Sequence, residues 1–494
     1  MSIRFAFAAL LLLIGACSQN ARPSEKYSHL TILHFNDTHG HLAPFRDAAG
    51  KLVGGVARRT TYIRAVRAEN PDLLVLQAGD ILTGTVYSSI YHGRADIGFM
   101  NGWDQTATCV GNHELDYGVS NVLELAAAAH FPFLSANMRR KDGSALFPAY
   151  LCTNIAGASV CIAGVSISDD SIYNRDAVRE LRFDGEAAAL SNLLYGSKLR
   201  ATNSLVILLT HVGVEADKSL AAAFPDVDLI VGGHSHTLLP APVKIGNVLV
   251  VQDGQWGEYV GRLDWFLSAG RPVSNVYALA PMDASVAPDP AVAEAVSNME
   301  TKVKKEMDVL LGTNPSALSD MDVRDASTGL GNWIADAVAE AVPCDAACLN
   351  GGGIRSPLSS GPVSLLDVWT VLPFDDVLVR LTMKGSLLRR FVVQGAGNIG
   401  RGGFLQWSGA VRVRKQLGGW NVEVGGKPVD DDASYRIVVP DYLHQGGDGF
   451  TLLAQSSSAE NTGLLMRDIA AAAVKKAGGM ILTAEQTNAR VAVK

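Results

Sequence analysis

Between residue 28 and about residue 270, short apolar runs rich in valine, isoleucine and leucine alternate with segments of helical composition. The apolar runs predict β-strands at 30–35, 73–76, 107–110, 160–165, 205–209 and 229–231. The segments between them predict helices, the clearest at 56–68, 119–129 and 216–223. Because strands and helices alternate, the pattern favours a layered α/β domain.

A different pattern begins further along the chain. Apolar residues at steps of three and four predict an amphipathic helix over 288–311, started by Asp289-Pro290 and stopped by Gly312. Its single apolar stripe suits a connector between two domains. Strand-like segments and glycine-rich clusters then indicate a second domain over 312–494. A chain of 494 residues is also too long for one ordinary core.

The first residues have the composition of an export signal. Arg4 precedes an apolar run over 5–14, which is too short to span a bilayer comfortably. Small residues follow and end in Cys17, and this junction resembles the lipobox of bacterial lipoproteins, in which cleavage leaves the cysteine carrying lipid. An ordinary signal peptide with an incidental cysteine is the alternative.

We therefore predict a signal peptide over 1–16, a lipid-bearing Cys17, and a flexible tether over 17–28, whose residues are polar and lack periodicity. The lipid would hold the protein at a bacterial membrane, in the periplasm or at the cell surface.

Charge and composition narrow the range of partners. The net charge of −7, with 48% hydrophobic and 18% charged residues, is typical of a globular protein without a polyanion-binding surface. We therefore expect no nucleic-acid polymer as a partner.

Export permits disulfides: Cys152 and Cys161 flank a turn, and Cys344 and Cys348 lie close together, which leaves Cys109 as a buried free thiol. Spacing alone does not fix these pairings.

Polar residues follow five of the predicted strands at the point where each strand ends. In an α/β sheet, ligands bind outside the carboxyl ends of the strands, so these clusters are expected to converge. They offer carboxylate, amide and imidazole groups: Asp37, His39, Asp80, Asn112, His211, His234 and His236. Such a set suits two borderline divalent cations, Zn²⁺, Mn²⁺, Fe²⁺ or Co²⁺, that share one bridging carboxylate.

His234 and His236 are separated by a single serine. On an extended segment, side chains two residues apart point the same way, so both imidazoles are expected to reach inward while Ser235 turns aside. One imidazole would then serve each cation.

The spaced motifs carry a family resemblance. They resemble the signature of calcineurin-like metallophosphoesterases in five blocks: Asn36-Asp37-Thr38-His39, Gly79-Asp80, Gly111-Asn112-His113-Glu114, Thr210-His211 and Gly233-His234-Ser235-His236. More narrowly, the chain resembles the 5′-nucleotidase family, which includes bacterial UDP-sugar hydrolases and animal ecto-5′-nucleotidases. The resemblance implies a four-layer α-β-β-α sandwich over 29–287, followed by a smaller α/β C-terminal substrate-binding domain.

The resemblance also implies roles for single residues. It divides the metal ligands between two cations that share Asp80: Asp37, His39 and His236 for one, and Asn112, His211 and His234 for the other. His113 and Asp116 would form a catalytic pair in which the aspartate orients the imidazole. The alternative for Asp116 is a helix cap before 119–129.

A second set of residues resembles the nucleotide-binding domain of the same family. There, two aromatic rings sandwich the base, an aspartate holds the ribose, and arginines with an asparagine complete the pocket. The matching positions are Phe374 and Tyr442 for the rings, Asp448 for the ribose, and Arg324, Asn350, Gly352 and Arg355 for the rest. The alternative for Phe374 is a place in the hydrophobic core.

The resemblance thus implies an exported dinuclear-metal phosphohydrolase that releases phosphate from nucleoside 5′-monophosphates. A UDP-sugar hydrolase or a 2′,3′-cyclic-nucleotide phosphodiesterase would use the same metal ligands, and the thiosulfohydrolases of sulfur oxidation share the fold. A non-catalytic surface lipoprotein that binds nucleotide or a partner is an alternative of another class. The complete set of ligands argues against it.

Overall fold

The computed structural model describes residues 27–47, 50–416, 419–480, 482–483 and 485–492. The signal peptide, Cys17 and most of the tether predicted from the sequence lie outside these residues. Within the described ranges, no helix is both long and apolar enough to cross a membrane.

The N-terminal domain contains the alternating elements that the sequence predicts. Its strands are β1 (Ser28–Phe35), β2 (Phe45–Arg46), β3 (Leu52–Val53), β4 (Leu73–Gln77), β5 (Ala107–Cys109), β6 (Phe133–Leu134), β7 (Met138–Arg140), β8 (Tyr150–Ile155), β9 (Ala158–Ser166), β10 (Leu181–Phe183), β11 (Leu205–His211), β12 (Leu229–Val231), β13 (Val243–Ile245), β14 (Val248–Val251), β15 (Tyr259–Ser268) and β16 (Arg271–Pro281). Its helices are α1 (Val56–Glu69), α2 (Val86–Tyr91), α3 (Arg94–Asn101), α4 (Gly118–Ala128), α5 (Arg175–Glu180), α6 (Glu186–Ser191), α7 (Leu199–Thr202) and α8 (Val214–Ala223). The predicted strands correspond to β1, β4, β5, β9, β11 and β12, and the predicted helices to α1, α4 and α8.

Two six-stranded sheets pack face to face in this domain. Their strand orders are β16-β15-β1-β4-β5-β6 and β13-β14-β12-β11-β9-β8. Buried aliphatic side chains of both sheets fill the space between them. Helices α1, α3 and α4 cover the outer face of the first sheet, and α6 and α8 cover that of the second. The predicted four-layer α-β-β-α sandwich is confirmed.

Helix α9 (Pro290–Met307) follows the sandwich, and Asp289 caps it by accepting the N–H of Val292 at 3.0 Å. The apolar stripe of the helix packs against the N-terminal core. The periodicity placed the end of this helix at residue 311, but the helix ends at Met307. The residues that follow pair as a strand with a partner near residue 363, and this tertiary pairing overrides the helical pattern.

The C-terminal domain is smaller and is built on one central sheet. Its strands are β17 (Leu310–Asn314), β18 (Ala346–Asn350), β19 (Gly361–Ser364), β20 (Val377–Lys384), β21 (Leu405–Trp407), β22 (Val411–Gln416), β23 (Gly419–Val424), β24 (Lys427–Pro428), β25 (Ser434–Pro440), β26 (Ser458–Leu465) and β27 (Val491–Ala492). Its helices are α10 (Gly329–Ala341), α11 (Leu365–Val371), α12 (Gly385–Gly397), α13 (Asp441–His444) and α14 (Met466–Ala477). The central sheet has the order β21-β18-β25-β20-β26, with α10 and α14 on one face and α12 on the other.

The cysteines follow the sequence expectation in part. Cys152 and Cys161 lie opposite each other in the β8–β9 hairpin and form a disulfide, and Cys109 is a buried free thiol, as predicted. The pairing expected between Cys344 and Cys348 is wrong, because both are free. Cys348 lies in β18 and packs on one face of the central sheet, whereas Cys344 packs against the core on the other face.

Candidate active site

The polar strand ends converge at one edge of the sandwich. Strands β1, β4 and β5 run parallel in the first sheet, and β11 and β12 run parallel in the second. Their carboxyl ends therefore meet at the same edge, as expected for an α/β ligand site. The loops are tied to one another through the backbone: Asp37 donates its N–H to the carbonyl of Gly79 at 3.0 Å, and His39 donates to that of Asp80 at 3.1 Å.

The backbone that carries these side chains is strained. Five of the seven candidate metal ligands have positive φ angles: Asp37 (47°), His39 (48°), Asp80 (55°), His234 (74°) and His236 (53°). This conformation is uncommon for residues other than glycine, and it clusters at functional sites. The extended conformation expected from His234 to His236 is therefore wrong, but both imidazoles still reach inward, and each joins a different cluster of ligand atoms, as expected.

The first cluster of ligand atoms contains Asp37, His39 and His236. Nε2 of His236 lies 3.3 Å from Oδ1 of Asp37 and 3.1 Å from Nε2 of His39. The carboxylate of Asp37 also accepts the backbone N–H of His234 at 3.0 Å. Asp37 and His39 are fully buried, so their ligand atoms face one another rather than solvent.

The second cluster contains Asp80, His211 and His234, with Asn112 beside it. Nε2 of His211 lies 3.0 Å from Oδ2 of Asp80, and Nδ1 of His234 lies 3.1 Å from Oδ1 of Asn112. Asp80 is also 3.9 Å from Nε2 of His39. The carboxylate of Asp80 therefore lies between the two clusters, at the position expected of a bridge.

Backbone carbonyls orient two of the imidazoles. Nδ1 of His39 donates to the carbonyl of Thr83 at 2.7 Å, and Nδ1 of His211 donates to that of Ala78 at 2.7 Å. These bonds leave each Nε2 lone pair directed into its cluster, which is how metal-binding histidines are commonly held. Nε2 of His211 is buried and has no well-aligned hydrogen bond among the described residues.

The charges of the site also fit bound cations. Burial, and then the Arg355 guanidinium, lower the pKa of His39 well below its usual range, and burial with His211 lowers the pKa of His234 to about 4. Neutral imidazole is the form that binds a metal. Burial would lower the pKa of His211, yet Asp80 and Asp37 raise it to about 10. A proton on His211 therefore offsets the negative charge of Asp80 and Asp37. A bound divalent cation would offset the same charge.

Glu114 has a role that the sequence motif did not reveal. Its buried carboxylate accepts the backbone N–H groups of Asp80 at 3.0 Å, Ile81 at 2.6 Å and Gly111 at 2.6 Å. It therefore ties the loop after β4 to the loop after β5. The motif contains this glutamate, but only the tertiary structure shows which groups it bonds.

His113 and Asp116 form the expected pair. Nδ1 of His113 donates to Oδ2 of Asp116 at 2.6 Å, and the N-cap of α4 is Tyr117, without a side-chain bond. Asp116 therefore orients the imidazole rather than capping the helix. Burial would lower the pKa of His113, but Asp116 and then Asp80 raise it.

A cavity of about 640 Å³ joins this edge to the C-terminal domain. On the N-terminal side it is lined by Asp80, Asn112, His113, Asp116, His234 and His236. On the C-terminal side it is lined by all the predicted substrate-binding residues: Arg324, Asn350, Gly352, Arg355, Phe374, Tyr442 and Asp448. Phe374 is half-buried and faces the cavity, with its ring centroid 6.1 Å from that of His113.

The residues predicted to hold the base and ribose contact one another. Nδ2 of Asn350 donates to Oδ2 of Asp448 at 3.0 Å, and the Tyr442 hydroxyl lies 3.4 Å from Oδ1 of Asp448. Gly447 packs against the Tyr442 ring so closely that a Cβ there would lie 2.6 Å from three of its atoms. One face of the ring is therefore covered by backbone.

Arg355 reaches further than its predicted place in the nucleotide pocket. Its guanidinium lies 3.4 Å from Nε2 of His39, across the boundary between the domains. The C-terminal domain thus places a positive charge directly beside the first ligand cluster.

Comparisons with known proteins agree with this geometry. Residues 30–238 match the calcineurin-like phosphoesterase family, and residues 306–455 match the 5′-nucleotidase C-terminal domain. The crystal structure of a 5′-nucleotidase precursor from Thermus thermophilus has a TM-score of 0.85 and 30% identity, covering 94% of this chain and 100% of that one.

Sequence relatives extend over nearly the whole chain. The snake venom 5′-nucleotidase of Naja atra is 30% identical, covering 91% of this chain and 96% of its own length. The trifunctional nucleotide phosphoesterase protein YfkN of Bacillus subtilis (strain 168) is 27% identical over 93% of this chain, which spans only 34% of that protein. The chain therefore belongs to the 5′-nucleotidase family of calcineurin-like phosphoesterases, which are hydrolases.

Proposed function

We propose that the chain is an exported phosphohydrolase that uses two divalent cations to release phosphate from nucleoside 5′-monophosphates. One observation carries the proposal: members of both ligand clusters, namely His236, Asp80 and His234, line the same cavity as the two aromatic rings. A nucleotide is the class of molecule that joins a base able to stack on Phe374 and Tyr442 to a phosphoester that suits the ligand clusters.

The proposal assigns ligands to each cation from their donor atoms. The first cluster, with Asp37, His39 and His236, would hold one cation, and Asn112, His211 and His234 would hold the other, with Asp80 shared. Zn²⁺, Mn²⁺, Fe²⁺ and Co²⁺ all suit carboxylate, amide and imidazole donors. When bound, the cations would activate water and neutralise charge on the phosphoryl group.

The protein side chains supply orientation and proton transfer. His113, held through Nδ1 by Asp116, presents its other ring edge to the cavity, where it can donate to a phosphoryl or leaving oxygen. Arg355 lies beside His39 of the first cluster, and its guanidinium can donate two hydrogen bonds to phosphate oxygens. The Asp448 carboxylate, held by Asn350, is free to accept ribose hydroxyls.

Phosphate release from a substrate panel tests the proposal. Protein stripped of metal by a chelator and reloaded with each cation should hydrolyse AMP faster than UDP-glucose or 2′,3′-cyclic AMP. Faster release from either of the latter, measured with a coupled phosphatase where needed, would favour the UDP-sugar hydrolase or the cyclic phosphodiesterase. No hydrolysis of any of them by metal-loaded protein would overturn the proposal.

The proposal also places the protein outside the cytoplasm, with lipid at Cys17. The Cys152–Cys161 disulfide supports this placement, because such bonds persist in oxidising compartments. Fractionation of bacteria that express the full chain should recover it with membranes, and Cys17→Ala should move it to the soluble extract. An unchanged membrane fraction for Cys17→Ala would contradict the lipid anchor.

A further inference from the structure

Strand β14 ends at the edge that carries the ligand clusters but supplies none of the proposed metal ligands. It pairs in parallel with β12, so its carboxyl end lies beside the loop that carries His234 and His236. Gln252 follows the last residue of β14 directly, and its side chain is fully buried. A buried amide must find its hydrogen bonds within the protein, because burial without a partner is costly.

The amide of Gln252 bonds the loop on both sides of each imidazole. Its Nε2 donates to the carbonyl of Gly233 at 3.0 Å. Its Oε1 accepts the Ser235 hydroxyl at 3.0 Å and also accepts the backbone N–H of Thr237. These partners lie immediately before His234, between the two histidines, and immediately after His236. One side chain therefore holds the whole stretch that carries both imidazoles.

The stretch that Gln252 holds has a strained backbone. His234 and His236 have φ angles of 74° and 53°, and such conformations persist only where the surrounding structure determines them. Strand β12 ends at Val231, so regular sheet pairing does not fix these residues. The Ser235 hydroxyl extends the hold to α8, because it also accepts the backbone N–H of Val214 at 3.1 Å.

The residues after β14 also contact the loop that carries the first cluster. Oδ1 of Asp253 accepts the backbone N–H of Asn36 at 3.2 Å, and Trp256 donates its N–H to the carbonyl of Asp37 at 2.7 Å. The end of β14 therefore connects the loop after β1 to the loop after β12. Glu114 connects the loops after β4 and β5 in the same way.

The oxygen of Gln252 is not available to a cation. A side-chain amide binds a divalent cation through its oxygen, which has two lone pairs. The Ser235 hydroxyl and the Thr237 N–H occupy both of them. Because the side chain is also fully buried, it does not contact substrate. Any effect of Gln252 on the reaction therefore acts through the loop.

We infer that Gln252 is the positioning residue that holds His234 and His236 in place for the two cations. His236 belongs to the first cluster and His234 to the second, so loss of the Gln252 bonds should weaken both metal sites together. Residues that orient metal ligands typically change metal affinity by about 10–100-fold. The inference rests on the proposed function, in which these clusters bind two cations.

Metal affinity, measured by competition with a chelator, tests the inference. Gln252→Met keeps a long unbranched side chain but removes the hydrogen bonds to the loop. We expect its dissociation constants for both Co²⁺ ions to rise about 10–100-fold. At saturating Co²⁺, its visible absorption should also differ from that of the wild type, because the histidine ligands are held differently. Unchanged dissociation constants or an unchanged spectrum would overturn the inference.

Gln406→Met is the matched control. Gln406 is also fully buried, and its amide bonds backbone groups of Val323, Ala326 and Thr328 in the C-terminal domain. The variant loses the same donor and acceptor away from the ligand clusters, so it should keep the wild-type affinity and spectrum. An equal loss of affinity in Gln406→Met would overturn the assignment to Gln252.

Ser235→Ala keeps the inference testable if Gln252→Met does not fold. Ser235 is exposed, so the change removes little packing, but it removes the hydroxyl that joins Gln252 to the loop and to α8. We expect the same dissociation constants to rise by about threefold, the effect of one lost hydrogen bond. Wild-type dissociation constants in Ser235→Ala would then overturn the inference.

Failure of the proposed function gives a different result. If wild-type protein binds Co²⁺ but releases phosphate from none of the nucleotides, the proposed function fails, and the dissociation constants of the variants still decide the inference. If the nucleotides are hydrolysed but Gln252→Met binds Co²⁺ as the wild type does, only the inference fails. Wild-type protein that binds none of Zn²⁺, Mn²⁺, Fe²⁺ and Co²⁺ would overturn both.

Discussion

The two sides of the cavity are built in different ways. On the N-terminal side, the side chains lie on loops at the ends of parallel strands, and backbone bonds with the Glu114 carboxylate fix these loops to one another. On the C-terminal side, the pocket comes from a glycine turn, a loop and the one-turn helix α13, and side-chain contacts such as Asn350 to Asp448 hold it. The N-terminal side, whose loops are bonded to one another, suits chemistry that tolerates little displacement. The C-terminal side, which we call the loop side, can vary with the substrate.

The largest expected effect comes from the shared carboxylate. If the proposed function holds, Asp80→Ala should abolish metal loading and lower phosphate release by at least about 10³-fold, because both proposed cations would lose a ligand and their stabilisation is worth several kcal/mol. Elemental analysis of purified protein measures the metal. Asp104→Ala, at an exposed surface position, is the control. Full metal content in Asp80→Ala would show that the two clusters do not depend on Asp80.

A smaller effect is expected from His113 and Asp116, the proposed catalytic pair. His113→Ala should lower kcat by about 10²–10⁴-fold while the metals are retained, because general acid catalysis is lost but the ligands stay in place. Metal analysis and steady-state kinetics on the same sample separate the two properties. The exposed His130→Ala serves as the control. If His113→Ala kept the wild-type kcat, the catalytic assignment would be wrong.

The loop side should respond in KM. Tyr442→Ala removes a stacking surface worth about 1–3 kcal/mol and should raise KM for AMP by about tenfold, with kcat changed much less. Tyr442→Phe keeps the ring and loses only the hydroxyl near Asp448, so its KM should stay close to that of the wild type. A fall in kcat with unchanged KM for Tyr442→Ala would remove the distinction between the two sides.

The smallest effect on activity is expected at the disulfide, which lies in the sandwich away from the cavity. Replacing Cys152 and Cys161 with alanine should lower the free energy of unfolding by about 2–3 kcal/mol, the entropy of closing a loop with a sequence separation of 9. Phosphate release at 25 °C should not change. Thermal denaturation with and without reductant measures the stability. An equal Tm for the wild type and the double alanine variant would contradict the prediction.

Much of the N-terminal site could be predicted because its determinants are local. Each ligand follows an apolar run with the composition of a strand, and parallel strands bring their carboxyl ends together whatever the details of packing. The sequence was less informative where distant segments compete. The end of α9 was displaced by strand pairing, and the Cys344–Cys348 pairing failed because the two side chains lie on opposite faces of a sheet. The conformation of His234 and His236 depends on positive φ angles that periodicity does not reveal.

The sequence by itself determined the class of the fold and which carboxylate, amide, imidazole and aromatic side chains are candidates for the site. These depend on residue identity and on spacing along the chain. Only the tertiary structure decided that Arg355 lies beside His39 and that Glu114 ties two loops together. These relations join residues that are far apart in the chain. Their energies depend on burial and on distances of a few ångströms, which only the folded packing of both domains sets.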